Sequence, residues 1–105
     1  MYNDLLSFTK KVLKKVHLNK FSIDTVSLGL CEASLRGVDS HGIRLLRHYM
    51  NVAITKRKNP KPKFRFIKKY PSVQILDADH AFGLTAGMKA IDKGIKISDK
   101  YGVGI

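Results

Sequence analysis

A change of hydrophobic periodicity near Pro60 and Pro62 constrains the fold of this chain more than any other feature. Before the two prolines, apolar residues recur at spacings of three and four, which is typical of amphipathic helices. After them, apolar residues alternate with polar ones or form short runs, which is typical of strands. Because proline cannot continue a helix, we predict a helical subdomain over residues 1–58 and the start of an α/β domain over residues 59–105. The expected fold class lies between α+β and α/β.

In the first part of the chain, the spacing of apolar residues predicts three short helices, at residues 4–18, 22–36 and 41–56. Ser22 is a candidate N-cap for the second helix, and Gly37 lies where a left-handed C-cap is expected. Three amphipathic helices with tight links are typical of a small helical subdomain or of helix-turn-helix packing.

In the second part of the chain, the pattern of apolar residues predicts two strands, at 64–70 and 72–77. It also predicts a helix at 84–101 and a further strand that begins at Val103. The strand at 72–77 is apolar enough to be buried on both faces. A strand, a helix and the first residues of another strand form an unfinished βαβ unit. We therefore expect the N-terminal piece of a longer protein. The alternative is a complete small α+β protein with a very short last strand.

Positive charge is concentrated in one segment. The chain carries 20 Lys and Arg against 8 Asp and Glu, a formal net charge of +12. Residues 51–70 contain no acidic residue and these basic ones: Lys56, Arg57, Lys58, Lys61, Lys63, Arg65, Lys68 and Lys69. The segment is either a phosphate-binding arm or a solvated linker and edge strand, in which lysines discourage edge-to-edge pairing. The corresponding alternative function is a nucleic-acid-binding module, with 22–56 as a helix-turn-helix and 56–69 as a basic arm.

Several classes of protein are excluded or disfavoured. The single Cys31 excludes an internal disulfide and a Cys-based zinc site, and it makes a reducing, cytoplasmic setting the expected one. No apolar stretch is long enough for a membrane-spanning helix. His80 lies beside Asp77 and Asp79, but two carboxylates and one imidazole are not a closed ligand set. We predict turn roles for them and no metal site.

The sharpest local motif is Asp39-Ser40-His41-Gly42, between the second and third predicted helices. We expect His41 in the first turn of the third helix, where the helix dipole favours the neutral imidazole. Asp39 or Ser40 is the expected cap of that helix. A neutral imidazole near pH 7 can exchange a proton with a substrate oxygen, and the Ser40 hydroxyl can hydrogen-bond the same oxygen.

Two arginines, Arg44 and Arg47, follow this motif. A guanidinium binds a carboxylate through two parallel hydrogen bonds, so a site for a small hydroxy- or oxo-acid is one interpretation. Helix caps, a solvated histidine and surface charges are the structural interpretation of the same residues. A Ser-His-Asp relay is excluded, because consecutive residues cannot form it and no nucleophile elbow surrounds Ser40.

The segment Ala33–Tyr49, ASLRGVDSHGIRLLRHY, resembles the signature of the malate/L-lactate/ureidoglycolate dehydrogenase family. The resemblance continues through Asn59–Pro62, Leu76–Gly83 and Ala86–Ile105 and covers nearly the whole chain. It implies a non-Rossmann α/β domain that binds NAD or NADP, with most cofactor contacts beyond Ile105. The lack of a glycine-rich dinucleotide fingerprint agrees with that fold.

The resemblance also implies a function. Family members are longer, generally dimeric oxidoreductases with active sites near the subunit interface. They interconvert 2-hydroxy acids and 2-oxo acids of the malate, lactate, sulfolactate or ureidoglycolate type. We therefore expect this chain to be the N-terminal segment of such an enzyme and to be inactive alone, with no membrane or nucleic-acid partner.

The resemblance assigns roles to individual residues. The family's histidine that matches His41 is the acid and base near the substrate oxygen, and the serine that matches Ser40 positions the substrate. A nearby arginine binds the substrate carboxylate. Many members have that arginine four residues after the histidine, where this chain has Leu45, and a proline where Arg47 stands. The carboxylate ligand is therefore either Arg44 or Arg47.

Overall fold

Three α-helices form the first part of the chain in the computed structural model, which describes all residues from Met1 to Ile105. They are α1 (Tyr2–Lys15), α2 (Lys20–Leu35) and α3 (Leu46–Ile54). Two short 3-10 helices, Asp39–His41 and Ile43–Leu45, lie between α2 and α3. The prediction of one helix over 41–56 is therefore wrong at its start. Gly42 adopts an extended conformation, with φ −94° and ψ −156°, and this interrupts the helical hydrogen bonds.

The ends of the first two helices differ from the predicted ones in instructive ways. α1 ends at Lys15 rather than at 18, because His17 adopts a left-handed φ of 65°. α2 begins earlier than predicted and is capped by Asn19, whose Oδ1 accepts a hydrogen bond of 2.9 Å from the Ser22 N–H. Ser22 is thus a buried residue of the helix interior and not the N-cap. The left-handed Gly37 after α2 is confirmed, with φ 75°.

The hydrophobic core lies mainly among the three helices. Its fully or nearly buried members are Leu13, Leu18, Val26, Leu30, Leu46, Val52, Ala53 and Phe82. Phe82 comes from the second part, and its ring stacks on that of Tyr49 with 5.2 Å between the centroids. Cys31 is also buried, as is usual for a free cysteine in a core.

The second part is a two-stranded antiparallel sheet followed by one long helix. The elements are β1 (Arg65–Tyr70), β2 (Val73–Asp77) and α4 (Gly83–Tyr101). Phe66 pairs with Leu76 and Ile67 with Ile75. The prediction that β2 is buried on both faces is wrong, since Ile75 is 48% exposed. A single hairpin with one helix packed near it leaves one face of the sheet uncovered. With four helices and this sheet, the fold is mixed α+β.

Glycines allow close contacts of α4 at two places. A methyl group on Gly29 would lie 2.7 Å from Leu84 Cδ2, so the missing side chain lets α2 and α4 approach. A methyl group on Gly104 would lie 2.5 Å from the carbonyl oxygen of Gly94, so the missing side chain of Gly104 lets the last residues approach α4. At Gly87 and at Gly94 itself, nothing lies within 4 Å of an added methyl group.

The last residues run beside β2. The Ile105 N–H donates to Ser72 O at 2.8 Å, and the Gln74 N–H donates to Ile105 O at 2.9 Å. These two bonds form one rung of a parallel pair opposite Val73. The predicted strand at 103–105 is therefore reduced to a single rung, but its parallel direction is that of a βαβ unit. None of the four helices is long and apolar enough to cross a membrane.

Candidate functional site

The Asp39-Ser40-His41-Gly42 motif is a surface turn held against the last turn of α2. Ser34 Oγ accepts a hydrogen bond of 2.8 Å from the Ile43 N–H. Gly42 is buried against Ser34, and a methyl group there would overlap Ser34 Oγ and lie 3.1 Å from Ser34 N. Only glycine at position 42 lets the chain pass so close to α2. The motif is therefore fixed to the helical core immediately after Ser40 and His41.

Ser40 and His41 interact directly on this turn. The distance between Ser40 Oγ and His41 Nδ1 is 2.8 Å, and both residues are exposed. The predicted cap role of Asp39 and Ser40 is wrong, since neither 3-10 helix nor α3 has a side-chain cap. His41 also lies before the start of α3 at Leu46, so it is not in the first turn of an α-helix as predicted. The imidazole therefore contacts the Ser40 hydroxyl and does not lie at the N-terminus of an α-helix.

Arg44 and Arg47 lie on the continuation of the same segment. Arg44 is in the second 3-10 helix and Arg47 in the first turn of α3, and both are exposed. Neither guanidinium forms an ion pair within the chain. Both are therefore free to bind an anionic ligand. None of the four main clefts of the molecule is lined by Ser40, His41, Arg44 or Arg47, so these residues stand on an open surface.

Asp79, which precedes His80, joins the loop before α4 to the segment after α3 through hydrogen bonds. Asp79 Oδ2 accepts hydrogen bonds of 2.9 Å from Asn59 Nδ2 and from the Lys63 N–H. Asp77 Oδ1 accepts from the Asp79 N–H at 3.1 Å, which is a turn interaction. No group of three or more His, Cys, Asp and Glu side chains is placed to hold a metal ion.

Sequence reasoning missed two residues that position this region. Ser34, inside α2, anchors the turn that carries His41, and only a tertiary contact shows it. Asn59 joins the linker to the loop before α4, through its side chain to Asp79 and through its N–H to His80 O at 2.9 Å. The neighbouring Pro60 O accepts the Asn19 N–H at 2.9 Å. An asparagine before a proline is a turn signal that could have drawn attention to Asn59.

Comparisons with known proteins agree with this geometry. The chain is 34% identical over 103 residues to malate dehydrogenase of Pyrococcus abyssi, which is 98% of this chain and 28% of that protein. It is 31% identical over 94 residues to L-sulfolactate dehydrogenase of Methanocaldococcus jannaschii, which is 90% of this chain and 27% of that protein. The structure of malate dehydrogenase from Pyrococcus horikoshii OT3 matches with a TM-score of 0.93 at 33% identity, over 98% of this chain and 30% of that one.

These proteins are all dehydrogenases, and nothing among them supports the nucleic-acid alternative. The chain spans about 28% of the length of the relatives that it matches. A sequence profile of the family described as malate/L-lactate dehydrogenase matches residues 1–105. The resemblance drawn from the motif around His41 is confirmed over the whole chain, and the chain belongs to the malate/L-lactate dehydrogenase family.

Proposed function

We propose that this chain provides the substrate-binding and proton-transfer turn of an NAD- or NADP-dependent oxidoreductase that interconverts 2-hydroxy acids and 2-oxo acids. The observation that carries the proposal is the 2.8 Å contact between Ser40 Oγ and His41 Nδ1 on a turn fixed to α2. Membership of the malate/L-lactate dehydrogenase family supports the reaction class. The open surface around the turn fits an enzyme whose active site is completed by other residues, and we expect a homodimer.

His41 is the group that moves the proton. Oxidation of a 2-hydroxy acid removes the proton of the C2 hydroxyl, and reduction of a 2-oxo acid returns it. When Nδ1–H of His41 donates to Ser40 Oγ, the lone pair of Nε2 is free to accept that proton. In the reverse direction the protonated Nε2 donates to the developing alkoxide oxygen. Ser40 thus orients the ring, and its hydroxyl hydrogen can reach the same substrate oxygen.

An arginine holds the substrate carboxylate. Arg44 and Arg47 are both exposed and without an acidic partner, and either guanidinium can form two parallel hydrogen bonds to a carboxylate. The names of the relatives include malate and sulfolactate, and each of these acids carries a second anionic group. The arginine that does not bind the carboxylate beside C2 is available for that second group.

The nicotinamide ring of NAD or NADP, when bound, takes or supplies the hydride at C2. None of the four main clefts is lined by Ser40 or His41, so no role toward the dinucleotide is assigned to these two residues. The single buried Cys31 fits the reducing, cytoplasmic setting in which such enzymes work.

A chimeric enzyme tests the proposal. The matching segment of the Pyrococcus abyssi malate dehydrogenase is replaced by this chain, and the reduction of oxaloacetate by NADH is followed. His41→Ala is expected to lower kcat by about 10²–10⁴-fold, the usual contribution of a general acid or base. The matched control is His48→Ala on α3, which is exposed and is expected to leave kcat unchanged.

Two further variants test which of the two arginines binds the substrate carboxylate. Arg44→Met or Arg47→Met should raise KM for oxaloacetate, and the larger increase identifies the carboxylate ligand. An unchanged kcat in His41→Ala would refute the proton-transfer role. An unchanged KM in both arginine variants would refute the carboxylate-binding role.

A further inference from the structure

A basic cleft lies between the end of α1, the segment after α3 and the loop before α4. Its volume is about 1010 Å³, and its charged lining consists of Lys15, Lys56, Arg57, Lys58 and Lys61, with no acidic residue. None of these five cations forms an ion pair, although four basic side chains elsewhere in the chain do. Basic residues that line one cleft without a carboxylate make its potential positive, and this potential attracts an anionic ligand.

The walls of this cleft are fixed by backbone hydrogen bonds. The Asn59 N–H donates to His80 O and the Asn19 N–H donates to Pro60 O, both at 2.9 Å. Asn59, Pro60 and His80 all line the cleft. The basic segment is therefore held in place at its centre and is not a free arm. A ligand that binds here meets cations whose backbone is already ordered, which lowers the entropic cost of binding.

The backbone around the cleft is unusual. Four non-glycine residues of the chain have a positive φ, and three of them line this cleft: His17 at 65°, Lys56 at 56° and His80 at 58°. His17 and Lys56 follow the ends of α1 and α3, where a left-handed residue is usually glycine, because it has no Cβ to clash with the backbone. Such strain concentrates at functional sites. Lys56, one of the five basic residues of the cleft, is thus held in a backbone conformation that glycine adopts at a lower free-energy cost.

The simplest competing explanation is electrostatic capping of the helices. Lysines in the last turn of a helix are stabilised by the negative end of its dipole. That accounts for Lys15, which is in the last turn of α1. It does not account for Lys58 and Lys61, which lie beyond the end of α3, and it does not require left-handed side-chain-bearing residues.

We propose that this cleft binds an oligophosphate, a ligand with two or more linked phosphate groups. A single phosphate is too small to reach five cations spread around a cleft of about 1010 Å³, whereas linked phosphates present several charges along one molecule. Both an inorganic oligophosphate and the pyrophosphate of a dinucleotide have this chemistry. The site is separate from the proposed catalytic turn, since Ser40, His41, Arg44 and Arg47 do not line it.

Calorimetric titration of the full chain with inorganic tripolyphosphate at low salt tests the proposal. The variant Lys56→Asn/Lys58→Asn removes two cleft cations, and asparagine tolerates the left-handed conformation of position 56. We expect its affinity to fall by more than about 10-fold, because each lost cation contact to phosphate removes a favourable ionic interaction. The matched control, Lys68→Asn/Lys69→Asn on β1, makes the same change of net charge away from the cleft. It should change the affinity by less than about 2-fold.

Lys56→Gly adds a second readout. Removal of the strained side chain should raise the thermal unfolding midpoint while the affinity for tripolyphosphate falls. A raised midpoint with unchanged affinity would mean that Lys56 has no ligand role and would overturn the proposal. So would the absence of tripolyphosphate binding, or an equal loss of affinity in both double variants, which would indicate a general effect of net charge.

The source of the phosphates is distinguished by parallel titrations with orthophosphate, NAD and NADP. Tighter binding of a dinucleotide than of tripolyphosphate, lost in the cleft variant, would support a dinucleotide pyrophosphate as the ligand. Tighter binding of tripolyphosphate would support a free oligophosphate. Binding of a DNA duplex that is equally weakened in the two double variants, in place of these ligands, would refute a defined cleft site.

Discussion

The helical region of α1–α3 and the region of the hairpin and α4 differ in how far their helices bury the apolar stripe, which is the row of apolar side chains along one side of a helix. The stripes are mostly buried in the helical region and largely exposed on α4. In the helical region Leu13, Val26 and Leu30 are fully buried. In α4 the apolar residues Ile91 and Ile95 are 56% and 55% exposed, although they follow Leu84 at helical spacing. The spacing of apolar residues thus shows which side chains share a face, but not whether that face is covered.

The difference follows from how many elements surround each helix. The apolar stripes of α1, α2 and α3 pack against one another and against Phe82, so each of these stripes is covered. α4 is contacted by α2 through Leu84 and by the hairpin through the Lys93 ammonium over the Phe66 ring. The last residues also lie against α4 at Gly94, but the side that carries Ile91 and Ile95 is exposed. Stability should therefore depend much more on the helical region.

The largest expected effect compares two aliphatic truncations. Leu30→Ala removes a fully buried core side chain and is expected to lower the free energy of unfolding by about 2–5 kcal/mol. Ile95→Ala, on the open side of α4, should change it by less than about 0.5 kcal/mol. Urea denaturation followed by circular dichroism measures both. Equal losses in the two variants would show that the stripe of α4 is covered in solution.

The second comparison uses two glycines. Gly42→Ala forces a methyl group onto Ser34 and is expected to destabilise the chain by about 1–3 kcal/mol, the usual cost of overpacking. Gly87→Ala, on α4 with nothing within 4 Å, should instead stabilise it by up to about 1 kcal/mol through helix propensity. Thermal unfolding midpoints measure both changes. A neutral Gly42→Ala would mean that the turn bearing His41 can move away from α2.

The third test concerns the N-terminus of α2. Asn19→Ala removes the side-chain cap of Ser22 N–H and is expected to cost about 1 kcal/mol. Asn19→Asp keeps an acceptor oxygen and should retain most of the stability. Hydrogen exchange of the first-turn amides of α2 provides a local readout. α4 begins at Gly83 without a side-chain cap, so its first-turn amides should be unaffected by either variant.

The smallest expected effect is a dependence of stability on pH. The hydrogen bond from Lys20, together with that from Lys10, lowers the pKa of Asp24 below its ordinary value of 3.8. A lowered folded-state pKa stabilises the fold above the unfolded value and loses that contribution as the pH falls through the folded pKa. Asp24→Asn should therefore reduce stability slightly at pH 7, and this loss should shrink as the pH falls through the folded-state pKa of Asp24.

The control for this effect lies in the other region. Asp92→Asn on α4 removes an exposed carboxylate that forms no ion pair, and it should leave the stability difference between pH 7 and pH 2 unchanged. Urea midpoints at the two pH values distinguish the variants. A difference of the same size for Asp92→Asn would mean that the pH dependence comes from net charge and not from the pair that joins α1 and α2.

Most residue types of the candidate site could be predicted from the sequence, but little of its geometry could. The motif of Ser40 and His41 and the two following arginines could be identified from their order in the chain. Their conformation could not, because the 3-10 helices depend on Gly42 lying against Ser34, which is a contact between residues of different elements. For the same reason the predicted helix at 41–56 began too early, and the predicted caps at Asp39 and Ser40 are absent.

The amino-acid sequence alone was enough to predict the order of the four α-helices and of the two hairpin strands, the left-handed glycine at position 37, and the family. These depend on local backbone preference and on residue order, which neighbouring residues determine. The folded structure was needed to show that the stripe of α4 is exposed, that Asn59 fixes the basic segment, and that five basic residues line one cleft. The burial of a side chain and the clustering of charges depend on residues that are distant in sequence. The pattern of neighbouring residues therefore does not predict them.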